Sequence, residues 1–198
     1  MSRAPGKFVV QHRSEGAAMG TLDAFFVMRC FGAVTPEDIR ATLKCSLVTT
    51  AYRPEGVASI VAVDPTSTFP SEDTRRAALQ VSRETSSLSV GLVIIILGDG
   101  FWASAIRGVV TTLTSLSPTN STPRKVVRYE EEGVDWAIET VNESPSKYRS
   151  ALLTALDQLK PAEMAPPPPP TSKSPPPSTS KPPGAASKVP PSSKRRAG

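Results

Sequence analysis

The chain has 198 residues, 21 of them proline, and sets 23 lysines and arginines against 18 acids for a net charge of +5. Residues 161 to 198 hold 13 of those prolines and six bases against one acid, Glu163, so residues 1 to 160 carry 17 charges of each sign. A neutral folding region excludes any nucleic-acid or membrane reading drawn from the overall charge, and with all eleven aromatic residues at or before Tyr148 the remainder has nothing with which to build a core.

Residues 1–160 therefore read as one α/β domain and 161–198 as a disordered Pro/Ser/Lys-rich basic tail. Lys7 to His12 is a short strand, Ser14 to Gly20 a loop, and Asp23 to Phe31 a second strand completing a hairpin. Thr35-Pro36-Glu37-Asp38 starts a helix, with a capping hydroxyl, proline at the first helical position and acids at the positive dipole end. Its expected apolar face is Ile39, Leu43, Leu47 and Val48. Val57 to Val63 is a β-branched strand stopped by Asp64-Pro65. Ser71-Glu72-Asp73-Thr74 then repeats the capping chemistry ahead of a small-residue face at Ala77, Ala78 and Val81.

Leu92 to Leu97 is apolar on both faces, as a central strand covered by helices on both sides would be. Gly98-Asp99-Gly100 turns into a helix over Phe101 to Ser117, and Val126 to Tyr129 gives a last strand. Glu130-Glu131-Glu132 opens a helix carrying Val134, Trp136, Ala137 and Val141. Ser144-Pro145 opens another, striped by Tyr148, Leu152, Leu153, Leu156 and Leu159. The order β-β-α-β-α-β-α-β-α-α predicts an α/β fold: a mixed sheet of about five strands with helices packed on it.

The longest apolar run, Leu92 to Leu97, falls far short of the roughly 20 residues of a membrane-spanning helix, and the N-terminus does not read as a signal peptide. Cys30 and Cys45 are accordingly expected as reduced, buried thiols of a cytoplasmic protein. A single histidine, His12, argues against His-based metal sites and catalytic triads and is expected at the surface beside Arg13. No metal or cofactor is expected.

The element order and three stretches, Phe26 to Asp38 (FVMRCFGAVTPED), Val61 to Arg76 (VAVDPTSTFPSEDTRR) and Gly98 to Leu113 with the strand and Trp136 helix that follow, resemble the STAS domain. That is the fold of anti-sigma-factor antagonists and of the cytoplasmic regions of sulphate transporters; bacterial STAS-like proteins of uncharacterised function are more similar still. The resemblance spans most of residues 7 to 141. It implies a module that binds a protein partner, controlled in the antagonists by phosphorylation of a serine at the head of the helix after the third strand. Asp64 matches the aspartate ending that strand and Ser71 the head of the helix. The chain reads Phe69-Pro70-Ser71-Glu72-Asp73 where the family has Asp-Ser-Ser-Gly. Ser71 is thus a candidate switch, set beside its simpler role as an N-cap: a phosphate there gains from the helix N-terminus but meets two adjacent carboxylates.

Gly98-Asp99-Gly100 lacks the third glycine of a dinucleotide loop and the Gly-Lys-Ser/Thr of a P-loop, and reads as a tight turn. Asp99 and Arg107 are expected at the ligand or partner end of the sheet, together there or as a surface ion pair, with Phe101 and Trp102 as cover for a small apolar ligand. The paired acids all sit at helix starts, where the dipole accounts for them, and no catalytic constellation emerges. In the tail, Pro166 to Pro170 and Pro175 to Pro177 favour extended polyproline II. Lys173, Lys181, Lys188, Lys194, Arg195 and Arg196 offer weak, salt-sensitive contacts to nucleic acid or an anionic surface. The expected function is a non-enzymatic regulatory or scaffolding module acting through a protein partner, with the tail as a flexible tether. The alternative is a polyanion-binding protein acting through that tail.

Overall fold

A computed structural model of the chain describes residues 5–52, 55–100, 103–108, 110 and 122–161. Three antiparallel strands open it, β1 (Val9–Arg13), β2 (Ala17–Leu22) and β3 (Phe25–Cys30). The chain then alternates α1 (Pro36–Tyr52), β4 (Val57–Val63), α2 (Glu72–Glu84), β5 (Ser89–Ile96), a helical segment α3 (residues 103–108) and β6 (Arg124–Val127). It ends in α4 (Glu130–Thr140) and α5 (Pro145–Gln158). β3 to β6 pair in parallel, and the spatial order β1-β2-β3-β4-β5-β6 follows the sequence. This is the expected α/β fold with a mixed sheet, carrying six strands.

The additional strand is β2, which occupies most of the stretch expected as a loop from Ser14 to Gly20. Alanine and glycine carry little strand propensity, yet Ala17, Ala18 and Met19 are fully buried, and a strand covered on both faces beside an edge strand accepts small side chains. Gly20 shows why: a Cβ there would lie 2.3 Å from the carbonyl oxygen of Val9, so only glycine lets β1 approach.

Side chains alternate between two covered faces. Phe25 and Val27 of β3, Ala58, Ile60 and Ala62 of β4, and Val93 and Ile95 of β5 pack against α4 and α5 through Val134, Ile138, Tyr148, Leu152 and Leu156. On the opposite face Met19, Phe26, Met28 and Cys30 meet Cys45 of α1, and Ile94 and Ile96 meet Ala103 and Ile106 of α3. The expected apolar face of α1 is corrected. Leu47 and Val48 are 52% and 47% exposed, while Asp38, Cys45, Ser46 and Thr49 are buried. Thr49 can line a buried stripe because its hydroxyl donates to the carbonyl of Cys45 one turn back, 2.9 Å away. In α2 the buried residues are Thr74, Ala77 and Val81, whereas Ala78 is exposed. No helix among the described residues is long and apolar enough to cross a membrane.

Candidate functional site

The carboxyl ends of the parallel strands converge with the loops leading into the helices, and here the structure places most of the charged groups that the core encloses. Arg29 lies on β3 in the same alternation as Phe25 and Val27, and so points into the layer filled by α4 and α5; it is 5% exposed. Its Nε donates to Asp64 Oδ2 at 3.0 Å and one terminal nitrogen donates to Glu130 Oε1 at 2.8 Å and to the Leu156 carbonyl at 3.3 Å. The other terminal nitrogen stands 2.8 Å from Asp64 Oδ1 as an ion pair without hydrogen-bond alignment. Burial lowers the guanidinium pKa, but the Asp64 and Glu130 carboxylates outweigh it and hold the pKa above its ordinary value. Two carboxylates on one cation leave a surplus negative charge. Glu130, in the first turn of α4, lies at the positive end of that helix, and Arg29 meets the carbonyl end of α5.

The loop after β4 is stapled in place. The Asp64 amide donates to the Cys30 carbonyl at 2.8 Å, the Thr66 hydroxyl to the Phe31 carbonyl at 2.8 Å, and the Thr68 amide to the Gly32 carbonyl at 3.3 Å. The loop ends with Phe69, 54% exposed, and then Ser71, the exposed N-cap of α2. Ser71 Oγ accepts from the Thr74 amide at 3.2 Å and lies 2.9 Å from the Thr74 hydroxyl. Thr74 in turn donates to the Val34 carbonyl at 3.1 Å, fixing the start of α2 against the entry to α1. The two carboxylates that follow Ser71 both engage Arg76, at 2.6 Å for Glu72 and 3.6 Å for Asp73. The repulsion they would offer a phosphate is thereby reduced. Replacing Ser71 by alanine is expected to cost about 1 kcal/mol in chemical denaturation, the usual loss of an N-cap.

Asp99 forms its ion pair with Arg128, just past β6, instead of the partner expected in Arg107. The turn that carries Asp99 is tight: Gly98 and Gly100 both have positive φ, +80° and +93°, and Pro65 fills the space a Cβ on Gly98 would need. Among the described residues, one buried terminal nitrogen of Arg107 has no hydrogen-bond partner. Phe101, Trp102 and the tail cations Lys173, Lys181, Lys188, Lys194, Arg195 and Arg196 lie outside the described residues. Because the strand order never reverses across the six strands, the switch-point crevice of doubly wound sheets does not form between them.

At the same end of the sheet, His12 is not an ordinary surface residue. Its Nε2 lies 2.7 Å from Asp38 Oδ1, and Asp38 is 1% exposed. The other Asp38 oxygen accepts from the Thr35 amide and hydroxyl, both at 2.8 Å, and the Asp38 amide donates back to the Thr35 hydroxyl at 3.2 Å. This is a capping box with an aspartate in the third position. Cys30 and Cys45 are free and buried. Burial, with the Asp38 and Asp64 charges adding to it, raises the Cys30 thiol to about 12, and burial raises Cys45 to about 11; both thiols are therefore unreactive.

Of the residues at this end, motif reading passed over Arg29 and read Asp38 and Glu130 only as acids at helix starts. A visible signal existed for Arg29, a charge in step with Phe25 and Val27 on the apolar side of a strand. No protein-family model matches the chain, and no curated protein matches it in sequence.

Proposed function

We propose that the chain is a STAS-like, non-enzymatic regulatory or scaffolding module of bacterial cytoplasm that binds a protein partner at the β4–α2 end of its sheet. The observation that carries this is Phe69, a large apolar side chain 54% exposed on a loop tied to its neighbours on both sides, two residues before the accessible N-cap Ser71. An aromatic held out by a rigid loop is the kind of anchor on which partner binding concentrates, and a helix N-terminus next to it is where a phosphate would change the surface most. Asp64, at the start of the same loop, is held by Arg29.

The test is affinity capture with four forms of the full chain as bait. Wild type is expected to retain a discrete partner that Phe69→Ala and Ser71→Asp lose and Ser71→Ala keeps. Retention of the same proteins by all four forms overturns the proposal. The concentration of all excess charge in residues 161 to 198 favours a second reading, polyanion binding through the tail. A DNA mobility shift at low salt given by the full chain and not by a chain ending at Lys160 supports it, and equal behaviour of the two removes it.

A further inference from the structure

Away from the Ser71 end, the outer surface of α4 carries a groove of about 490 Å³. Its floor is Trp136, half-buried, with the far edge of its ring over Gly91 of β5, where a Cβ would come within 3.2 Å of it. Its rim is acidic: Glu132, Asp135, Glu139 and Glu143 against one base, Lys125. Three of those acids have a basic neighbour, Glu132 with Lys125 at 3.1 Å, Asp135 with Arg149 at 2.7 Å and Glu143 with Lys147 at 3.6 Å. Glu139 is exposed and makes no ion pair among the described residues. The lining thus keeps a surplus of negative charge around an indole face.

From this combination we infer that the groove is a docking site for a proline-rich peptide segment that carries lysines. Polyproline II arrives already extended, so it loses little conformational entropy on binding, and its rings pack on exposed indole. A lysine beyond the proline run meets the free carboxylate of Glu139 and complements the negative rim. The sequence holds an example of such a segment in residues 165–181, where five prolines precede Lys173 and three more precede Lys181. This deepens the protein-binding reading by naming a partner chemistry, at a surface independent of Phe69 and Ser71.

The probe is a synthetic peptide with the sequence of residues 165–181, titrated onto the full chain in which Pro166–Pro170 and Pro175–Pro177 are replaced by serine so that the chain's own long proline runs do not compete. The readout is the indole N–H resonance of Trp136, identified by its persistence in Trp102→Phe. The expected result is a saturable shift of that resonance, weakened about fivefold by Glu139→Lys, the scale of one surface charge contact, and abolished when the peptide's prolines are changed to serine. Glu139 is exposed, so its reversal leaves the fold intact, whereas removing Trp136 would also disturb its packing on Gly91. No saturable shift, a shift indifferent to Glu139→Lys, or equal binding by the proline-free peptide each overturns the inference. Peptide binding that survives Phe69→Ala while the captured partner is lost separates its outcome from that of the Ser71 surface.

Discussion

Replacing Arg29 with alanine is expected to lower the unfolding free energy by about 3–5 kcal/mol, the usual consequence of removing one member of a buried ion cluster. The loss comes less from the missing attraction than from what stays behind. Asp64, 8% exposed, and Glu130 would face each other across an apolar layer with no cation between them, and the Leu156 carbonyl would lose a donor. Against a total stability of about 5–15 kcal/mol for an ordinary domain, that is enough to populate the unfolded state on modest heating. The cluster as a whole is a different matter. Arg29→Met combined with Asp64→Asn and Glu130→Gln removes the charges together and is expected to recover most of the loss, because desolvating three ions offsets much of their mutual attraction. Urea denaturation of the single and triple variants checks both statements. A cost under about 1 kcal/mol for Arg29→Ala would mean that the cluster is solvated.

Asp38→Ala is expected to cost about 2–3 kcal/mol near neutral pH, from hydrogen bonds to a buried carboxylate and a lost capping box. This loss has a pH signature. Burial alone would raise the Asp38 carboxyl, but hydrogen bonds from His12, Thr35 and Ser14 outweigh it and hold the pKa below its ordinary 3.8. A carboxyl depressed in the folded state contributes stability that is complete above its unfolded pKa and is lost as the pH falls through the folded one. The stability curves of wild type and Asp38→Ala should therefore run parallel from neutral pH down to about pH 4 and converge below it. Parallel curves to the lowest pH at which the protein folds would remove the charge from the explanation.

How legible these features were in the sequence depended on what each one rests on. Caps and β-branched runs are local, so α1, α2, β4 and β5 were visible within a few residues of their observed ends. β2 was hidden because its signal is spatial: its glycine is required by a neighbouring carbonyl 2.3 Å from where a Cβ would stand, its alanines lie fully buried, and no local preference records either. The buried stripe of α1 was hidden for a related reason, since hydroxyls that bond their own helix can line a core while Leu47 and Val48 face outward. At the candidate site, Ser71 and Asp64 were found from their places at element ends. Arg29 and Glu130 are 101 residues apart, and only the closed fold brings them together.

The first strand and the last helix are joined directly: Arg13 donates to the carbonyls of Gln158 and Lys160 at 2.8 and 3.0 Å, closing the final turn of α5 across 145 residues of chain. Arg29 likewise reaches both the start of α4 and the end of α5. During synthesis from the N-terminus, β1 to β5 leave the ribosome before either helix exists, so the face of β3 that becomes the core waits with only Asp64 made to meet its guanidinium. Such long loop closures slow folding, and a nascent chain stopped short of Glu130 exposes that face to chaperones and proteases. The face of β3 that carries Arg29 is therefore closed only by the last thirty or so residues of the domain to be made.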